Sequence, residues 1–148
     1  MLCRDIMKIN VTCTTAQSPV ADAAALMRDE QIGFLPVCDD TGKVVGTLTD
    51  RDIAIRVVAE GESPEEPIEL FMTNDVVVCR SDDEVGVAQD LMSDLQVSRI
   101  ICLSDSGQLE GVISLSDIAQ LGHEADASDT LRSVSAREFA PGPICRGR

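Results

Sequence analysis

The chain has 148 residues, of which 44% are hydrophobic and 26% charged, a balance that fits one compact domain or two small halves with a shared core. Its 12 Lys and Arg against 26 Asp and Glu give a formal net charge of −14, which argues against a nucleic-acid binder because that affinity depends on basic residues. No apolar run approaches the roughly 20 residues that cross a bilayer. Residues 1–10 are interrupted by charges and lack the apolar core of a signal peptide, so we expect a cytoplasmic protein with no membrane partner.

An internal repeat organises the chain. Residues 7–54 align without a gap with residues 72–119, 65 positions further on. The agreement includes Met7 with Met72, Gly42 with Gly107, Gly46 with Gly111 and Asp52 with Asp117. We therefore predict two copies of one unit, at residues 1–61 and 69–122, joined by a polar, proline-containing linker at 62–68.

In chain order, the first copy predicts a β-branched strand at 11–14, a helix that Ser18 caps ahead of Pro19, and an apolar strand at 34–38. A turn of polar residues and glycine separates this strand from the next, at 44–49. A last helix follows over about 50–60, with Gly61 at its end.

The second copy repeats these signals. It predicts strands at 76–79, 99–103 and 109–114, a helix that a capping box of Ser81 and Glu84 begins, and a last helix over about 115–121 ended by Gly122. Each copy is thus a β-α-β-β-α unit, and the class is α+β. In the tail, 123–148, we expect a short helix around 129–137 followed by a mobile end.

The six cysteines show no CxxC pair and no zinc-finger spacing, so no structural metal is expected. Cys13, Cys38, Cys79 and Cys102 lie in apolar, β-branched runs, and the first interpretation is that they are small buried hydrophobic residues. The alternative is a thiol-based redox or metal sensor that uses Cys13 and Cys79, which fall one register step apart in the aligned first strands.

The residues that could carry catalysis are few. His123 is the only histidine, and it follows Gly122 in a polar stretch with no nucleophile placed to pair with it. The chain has no GxxxxGK[ST], HExxH or GxSxG motif. We therefore do not expect an enzyme.

One motif occurs at the same strand-to-helix junction of both copies: Thr49-x-x-Asp52 and Ser114-x-x-Asp117. A hydroxyl and a first-turn carboxylate at this place can cap the helix. They can also bind a nucleotide, because the hydroxyl and the exposed N–H groups suit a phosphate while the carboxylate accepts from ribose hydroxyls. The spacing alone leaves both interpretations open.

The duplication and these junctions resemble the paired cystathionine β-synthase-type domains, known as the CBS pair or Bateman module. The resemblance covers about residues 5–122 and is carried by GTLTDRDI and GVISLSDI, which fit the pattern Gly-h-h-Thr/Ser-x-x-Asp. Thr49-Asp50-Arg51-Asp52-Ile53 in particular is similar to small stand-alone bacterial members. The resemblance implies two pseudo-symmetric repeats packed sheet to sheet, two clefts that bind adenosine-type ligands, and a homodimer.

The resemblance also implies roles for residues. Asp52 and Asp117 would hold ribose hydroxyls, Thr49 and Ser114 would contact phosphate or ribose, and Arg51 would contact phosphate. The residues expected to enclose the base are Thr12, Cys13, Thr14, Pro36, Val37, Val78, Cys79 and Ile101.

The second copy departs from the first at two of these places. It has Ile101 where the first has Pro36, and Ser116 where the first has Arg51, so Arg99 is the candidate to supply the missing charge. The net charge of −14 favours AMP or an uncharged adenosyl ligand over a polyphosphate.

The sequence thus predicts a non-enzymatic regulatory protein that needs no cofactor. AMP, ADP, ATP and S-adenosylmethionine are its candidate regulatory ligands, and a regulated protein is a candidate partner. The alternatives are a ligand-free interaction or structural dimer module, and the thiol sensor.

Overall fold

A computed structural model describes residues 1–121 and 130–135 of the chain. The first repeat contains β1 (Thr14–Thr15), α1 (Val20–Glu30), β2 (Phe34–Cys38), β3 (Val44–Thr49) and α2 (Asp50–Asp52), which continues as a π-helix over Ile53–Val58. The second contains β4 (Val78–Arg80), α3 (Val85–Leu95), β5 (Arg99–Leu103), β6 (Leu109–Ser114) and α4 (Leu115–Ala119). A short 3₁₀ helix leads into each, at Cys3–Asp5 and Ile68–Leu70. The order β-α-β-β-α occurs twice, which confirms the predicted α+β class.

The two repeats form three-stranded sheets of the same topology. In each, the first strand is parallel to the second, and the second is antiparallel to the third. The registers correspond as well, since Thr14 pairs with Val37 and Cys79 pairs with Cys102. The hairpin turns meet where Lys43 and Gln108, which are equivalent positions, form an isolated bridge. A pseudo-twofold axis therefore runs between the turns.

The segment that leads into each repeat pairs with the sheet of the other. Thr73 exchanges two backbone hydrogen bonds of 2.9 Å with Thr47 at the outer edge of β3. Lys8 and Val112 do the same on β6, with N···O distances of 2.9 and 3.1 Å. The leading segments are thus exchanged between the repeats.

The hydrophobic cores follow the same exchange. Ile68 and Phe71, which lead into the second repeat, are buried in the core of the first, beside Leu35 and Leu48. Cys3, from the start of the chain, is buried in the core of the second repeat. Because each core needs a segment from the other repeat, the two repeats stabilise one another.

The start of α1 is capped by the linker between the repeats. The sequence predicts Ser18 as the N-cap, but the helix has no side-chain cap hydrogen bond. The N–H groups of Val20 and Ala21 donate instead to the carbonyls of Glu66 and Pro64, at 3.0 and 2.9 Å. The prediction is wrong because a tertiary contact supplies the acceptors that a local side chain usually provides.

The start of α3 is capped in a similar way. The predicted capping box of Ser81 and Glu84 is absent, and Glu84 occupies the N-cap position without a side-chain bond. The N–H of Val85 donates to the carbonyl of Met1 at 3.0 Å.

The first strand of each repeat is shorter and later than predicted. The pattern predicts strands at 11–14 and 76–79, whereas the ladders begin at Thr14 and Val78. The residues just before them, including Thr12 and Val77, border clefts between the repeats, and Val77 still accepts a hydrogen bond from the N–H of Ile101 at 3.2 Å.

The remaining helix predictions differ at their ends. The π-helix that ends the first repeat stops at Val58, two residues before the predicted end at 60. Helix α4, which ends the second repeat, stops at Ala119, two residues before the predicted end at 121. Residues 130–135 are helical, inside the stretch for which the sequence predicts a short helix. Gly122, His123 and the predicted mobile end lie outside the described residues. In the described ranges, no helix is long and apolar enough to span a membrane.

Candidate functional site

Two clefts lie between the repeats and are related by the pseudo-twofold axis. The first has a volume of about 450 Å³ and includes Thr49 and Asp52, at the start of α2. The second has a volume of about 370 Å³ and includes Ser114 and Asp117, at the start of α4. Both volumes fall in the range of small-molecule sites, roughly 300–1,000 Å³. Residues of both repeats line each cleft, so a ligand there would contact both halves of the molecule.

The first junction motif forms a reciprocal capping box. The N–H of Asp52 donates to Thr49 Oγ1 at 3.1 Å, and the N–H of Thr49 donates to Asp52 Oδ2 at 3.0 Å. The box leaves Asp52 Oδ1 and the hydroxyl hydrogen of Thr49 unused. The capping interpretation of this motif therefore holds, and it leaves one acceptor and one donor at the cleft for a ligand.

The second junction motif forms the same box with an additional bond. Asp117 Oδ2 accepts from the N–H of Ser114 at 2.8 Å and from its hydroxyl at 2.6 Å. Burial alone would raise the pKa of Asp117. The hydrogen bonds from Ser114 and the charge of Lys8 outweigh it, so that pKa lies below its usual 3.8. Asp117 is therefore a carboxylate at neutral pH.

A cation reaches each of these carboxylates, but from different places in the chain. Lys8 Nζ lies 3.3 Å from Asp117 Oδ1. Arg56, on the π-helix, lies 3.8 Å from Asp52 Oδ1 through Nη2. Arg56 also donates through Nη1 to the carbonyl of Phe71 at 2.8 Å, which ties it to the exchanged segment. The two clefts are thus similar in shape and different in charge.

An arginine and an aromatic ring line both clefts. The guanidinium carbon of Arg99, on β5, lies over the ring of Phe34, on β2, at 5.8 Å from its centroid. These residues occupy equivalent positions of the two repeats. The pair therefore lies close to the pseudo-twofold axis, and its one aromatic ring and one positive charge are shared by the two clefts.

The structure brings eight of the predicted site residues to a cleft and leaves six away from both. Thr49, Arg51, Asp52 and Ile101 line the first cleft, Thr12, Ser114 and Asp117 line the second, and Arg99 lines both. The residues that line neither cleft are Cys13, Thr14, Pro36, Val37, Val78 and Cys79.

The strands explain where five of these six residues lie, and the sixth, Pro36, is fully buried in β2. Val37 and Cys79 are in the two hydrophobic cores, since they sit on the inner faces of the sheets. Thr14 is also buried, whereas Cys13 and Val78 are exposed. Side chains alternate between faces along a strand, so the later start of β1 and β4 directs these positions away from the clefts.

Sequence reasoning missed Lys8, Thr73 and Asp75, all of which line a cleft. Lys8 and Thr73 lie in the leading segments and Asp75 lies just after one of them, and the sequence assigns these segments to their own repeats. Lys8 and Thr73 are equivalent in the alignment of the two repeats, and this equivalence is the sequence signal that could have marked both as site residues. Their place at the clefts follows from the exchange of segments, which no local pattern encodes.

The thiols have a different arrangement from the predicted one. Cys38, Cys79 and Cys102 are buried as expected, but Cys13 is exposed. Cys79 contacts Cys3 and Cys102 in the second core and not Cys13. Within the described residues, no group of His, Cys, Asp or Glu side chains has the geometry to hold a metal ion.

Comparison with known proteins identifies the repeat. The family model of the CBS domain matches residues 3–59 and again residues 68–124. The CBS domain-containing protein YhcV of Bacillus subtilis is 31% identical over 134 residues, which are 89% of this chain and 94% of YhcV.

Solved structures of CBS proteins superpose on this structure. TA0289 of Thermoplasma acidophilum, a conserved CBS domain protein, gives a TM-score of 0.79 at 28% identity, over 90% of this chain and 75% of that one. The CBS domain pair of protein MJ0100 gives a TM-score of 0.74 at 27% identity, over 82% of this chain and 98% of that one. That structure contains 5′-methylthioadenosine and S-adenosyl-L-methionine.

Proposed function

The chain belongs to the CBS domain family, and from this premise we propose that it is a non-catalytic regulatory module that binds an adenosine-type ligand between its repeats. Binding there would pass to a partner through the relative placement of the repeats, because each cleft is lined by both of them. The adenosyl ligands of the MJ0100 domain pair support this choice of ligand class.

The observation that carries the proposal is how the two junction carboxylates, Asp52 and Asp117, use their oxygen atoms. Asp52 and Asp117 each use Oδ2 to cap a helix, while Oδ1 faces a cation, which is Arg56 for Asp52 and the cleft residue Lys8 for Asp117. A carboxylate fixed in this way can accept from the vicinal hydroxyls of a ribose without a change of backbone. The helix capping and the ligand binding are thus compatible uses of one side chain.

The charges suggest which ligand each cleft accepts. The first contains the carboxylates Asp50, Asp52 and Asp75 with the guanidinium groups of Arg51 and Arg99, so it favours a ligand with little negative charge. In the second cleft, two cations, Lys8 and Arg99, balance two carboxylates, Glu30 and Asp117, and both cations can approach a phosphate. We propose an adenosyl compound for the first cleft and AMP for the second, ahead of ADP and ATP.

A homodimer and a regulated protein partner are part of the proposal. Ile55 and Val58 on the π-helix and the nearby Leu70 have 46%, 72% and 61% of their surface exposed. Such an apolar surface is where a second copy would pack. A Val58→Glu variant that sediments as a smaller species than the unchanged protein would support this part, and equal sedimentation would contradict it.

Calorimetric titration of the reduced protein with AMP, ADP, ATP and S-adenosylmethionine tests the ligand proposal. The variant to compare is Asp52→Asn/Asp117→Asn, because asparagine keeps an oxygen for the helix cap and places an amide where the second carboxylate oxygen was. We expect it to lose at least about tenfold in affinity for the ligand that binds.

Asp90→Asn/Asp94→Asn is the matched control, since both residues are exposed on α3 away from both clefts and the double change removes the same charge. An equal loss in this control would mean that the net charge, and not the site, sets the affinity. Absence of heat and of a thermal shift with all four ligands would overturn the proposal and favour the ligand-free interaction module.

A further inference from the structure

Three cysteines meet in the core of the second repeat. Cys79 Sγ lies 3.5 Å from Cys102 Sγ and 3.8 Å from Cys3 Sγ. All three side chains are buried, with 0%, 5% and 0% of Cys3, Cys79 and Cys102 exposed. No part of the proposed ligand site uses these thiols, so their proximity calls for a separate explanation.

The environment of the three sulfurs differs. Hydrogen bonds from the thiols of Cys102 and Cys79 lower the pKa of Cys3. In return, the pKa of Cys102 is raised, chiefly by the same contact with Cys3, and burial adds to this effect. Cys3 is therefore the sulfur on which a thiolate is stabilised, and a thiolate is the form that reacts with oxidants.

Geometry distinguishes the pairs that could form a disulfide. Cys79 and Cys102 are directly opposite in the parallel strands β4 and β5. A disulfide needs its sulfurs about 2.05 Å apart, and the hydrogen-bonded ladder of β4 and β5 limits how far the backbones of Cys79 and Cys102 can move to reach that distance. Cys3 belongs to a three-residue 3₁₀ helix outside the sheet and can shift with less cost.

We propose that Cys3 and Cys79 form a reversible disulfide when the protein meets hydrogen peroxide. The Cys3 thiolate attacks one peroxide oxygen, the O–O bond breaks, and hydroxide leaves and takes up a proton as water. The Cys79 sulfur then attacks the sulfenic sulfur of Cys3, the S–O bond breaks, and a second water leaves. Two thiols lose two electrons and two protons, and one peroxide is reduced to two waters.

The peroxide reaches the buried sulfurs by local opening of the leading segment. This segment is held to the second repeat by backbone bonds such as Cys3 N–H to the Asp83 carbonyl and Arg4 N–H to the Ser81 carbonyl, both 2.8 Å. Short elements of this kind open more readily than a sheet does. The same segment carries Lys8 to the second cleft, so the disulfide would fasten that part of the cleft to β4.

Disulfide mapping of the full chain tests the proposal. The protein is treated with hydrogen peroxide, unfolded in a thiol-alkylating reagent, digested and analysed by mass spectrometry. We expect a peptide that links Cys3 to Cys79, about 2 Da lighter than its two thiol halves and cleaved again by dithiothreitol. This readout is independent of any ligand, so it can fail or succeed without affecting the function proposed above.

Variants identify the pair. Cys3→Ser abolishes the linked peptide and confirms its assignment, and Cys102→Ser and Cys13→Ser should retain it. The proposal is overturned if peroxide leaves Cys3 and Cys79 alkylated as free thiols while it oxidises the exposed Cys13. A Cys79–Cys102 link as the main product would overturn it too.

Discussion

Lys8 and Asp117 form an ion pair of 3.3 Å between the leading segment of the first repeat and the last helix of the second. The equivalent of Lys8 in the other cleft is Thr73, which carries no charge, and there Arg56 approaches Asp52 from the π-helix. The two clefts, which the internal repeat relates, thus differ in the cation that faces the junction carboxylate.

The first prediction concerns Lys8→Thr, which places at position 8 the residue type found at the equivalent position, Thr73. Lys8→Thr should lower the affinity of the second cleft for AMP by about tenfold, because it removes a charged donor to the phosphate. Adenosine should bind at least as well as before, since the lysine no longer competes for the carboxylate of Asp117. Titration calorimetry with both ligands measures this difference.

Lys43→Thr is the control for that experiment. Lys43 is exposed in a hairpin turn outside both clefts, and its removal changes the net charge by the same amount. Equal losses for AMP and adenosine in Lys8→Thr would show that the lysine supports the structure of the cleft and does not contact phosphate.

Because the leading segments are exchanged, a substitution in the segment that leads into one repeat should destabilise the other repeat. Phe71→Ala should destabilise the protein by about 3 kcal/mol, as for other buried aromatic residues. Hydrogen exchange should show the loss of protection in β2 and β3, since Phe71 packs in the core of the first repeat. Ile6→Ala, at the equivalent position, should instead affect β5 and β6, because Ile6 packs against the second core. Loss of protection in the repeat that encodes each residue would contradict the exchange.

Local signals account for the parts of the fold that the sequence predicts well. The strands β2 and β3 begin and end where the pattern places them, because apolar runs flanked by Asp, Ser and Gly turns are local features. The caps of α1 and α3 could not be found in this way. Their acceptors, such as the Glu66 carbonyl, come from the linker and the leading segment, which are distant in sequence.

The residues of the candidate site also divide into those that a local pattern identifies and those that only long-range contacts bring to the cleft. Thr49, Asp52, Ser114 and Asp117 belong to a motif of fixed spacing and could be identified from the sequence. Lys8 could not, because its place beside Asp117 depends on contacts between residues more than 100 positions apart. Long-range pairing of this kind has no periodicity to reveal it.

The lowered pKa of Asp117 predicts a pH-dependent contribution to stability. A carboxyl group whose pKa is lower in the folded state stabilises the fold above its unfolded value, near 3.8, and this contribution is lost as the pH falls through the folded value. The unfolding temperature of the unchanged protein should exceed that of Asp117→Asn at pH 7, and the gap should close below pH 3.8. Thermal unfolding from about pH 7 to pH 2 measures it. A gap that is constant across this range would mean that the charge of Asp117 does not contribute.

The glycines of the junction motif make the segment exchange possible. A Cβ at Gly111 would lie 2.7 Å from Met7 Sδ and 2.9 Å from the Lys8 carbonyl oxygen. A Cβ at Gly46 would meet the equivalent atoms, Met72 Sδ at 2.6 Å and the Thr73 carbonyl oxygen at 3.0 Å. At both places the exchanged segment crosses the strand too closely for any side chain, which gives a physical reason for glycine at the start of the motif.

Gly111→Ala should therefore destabilise the protein by about 1–3 kcal/mol, as overpacking does in other cores, because residues 7 and 8 must move away from β6. Chemical denaturation measures the free energy of unfolding. The matched control is Gly86→Ala on α3, where a Cβ would meet nothing within 4 Å. There the change should stabilise the helix by about 0.5–1 kcal/mol, since alanine has the higher helix propensity. If Gly111→Ala were as stable as the unchanged protein, the close crossing would not be what requires glycine at this position. Opposite signs for the two substitutions would show that contact with the exchanged segment, and not the flexibility of glycine, sets the cost.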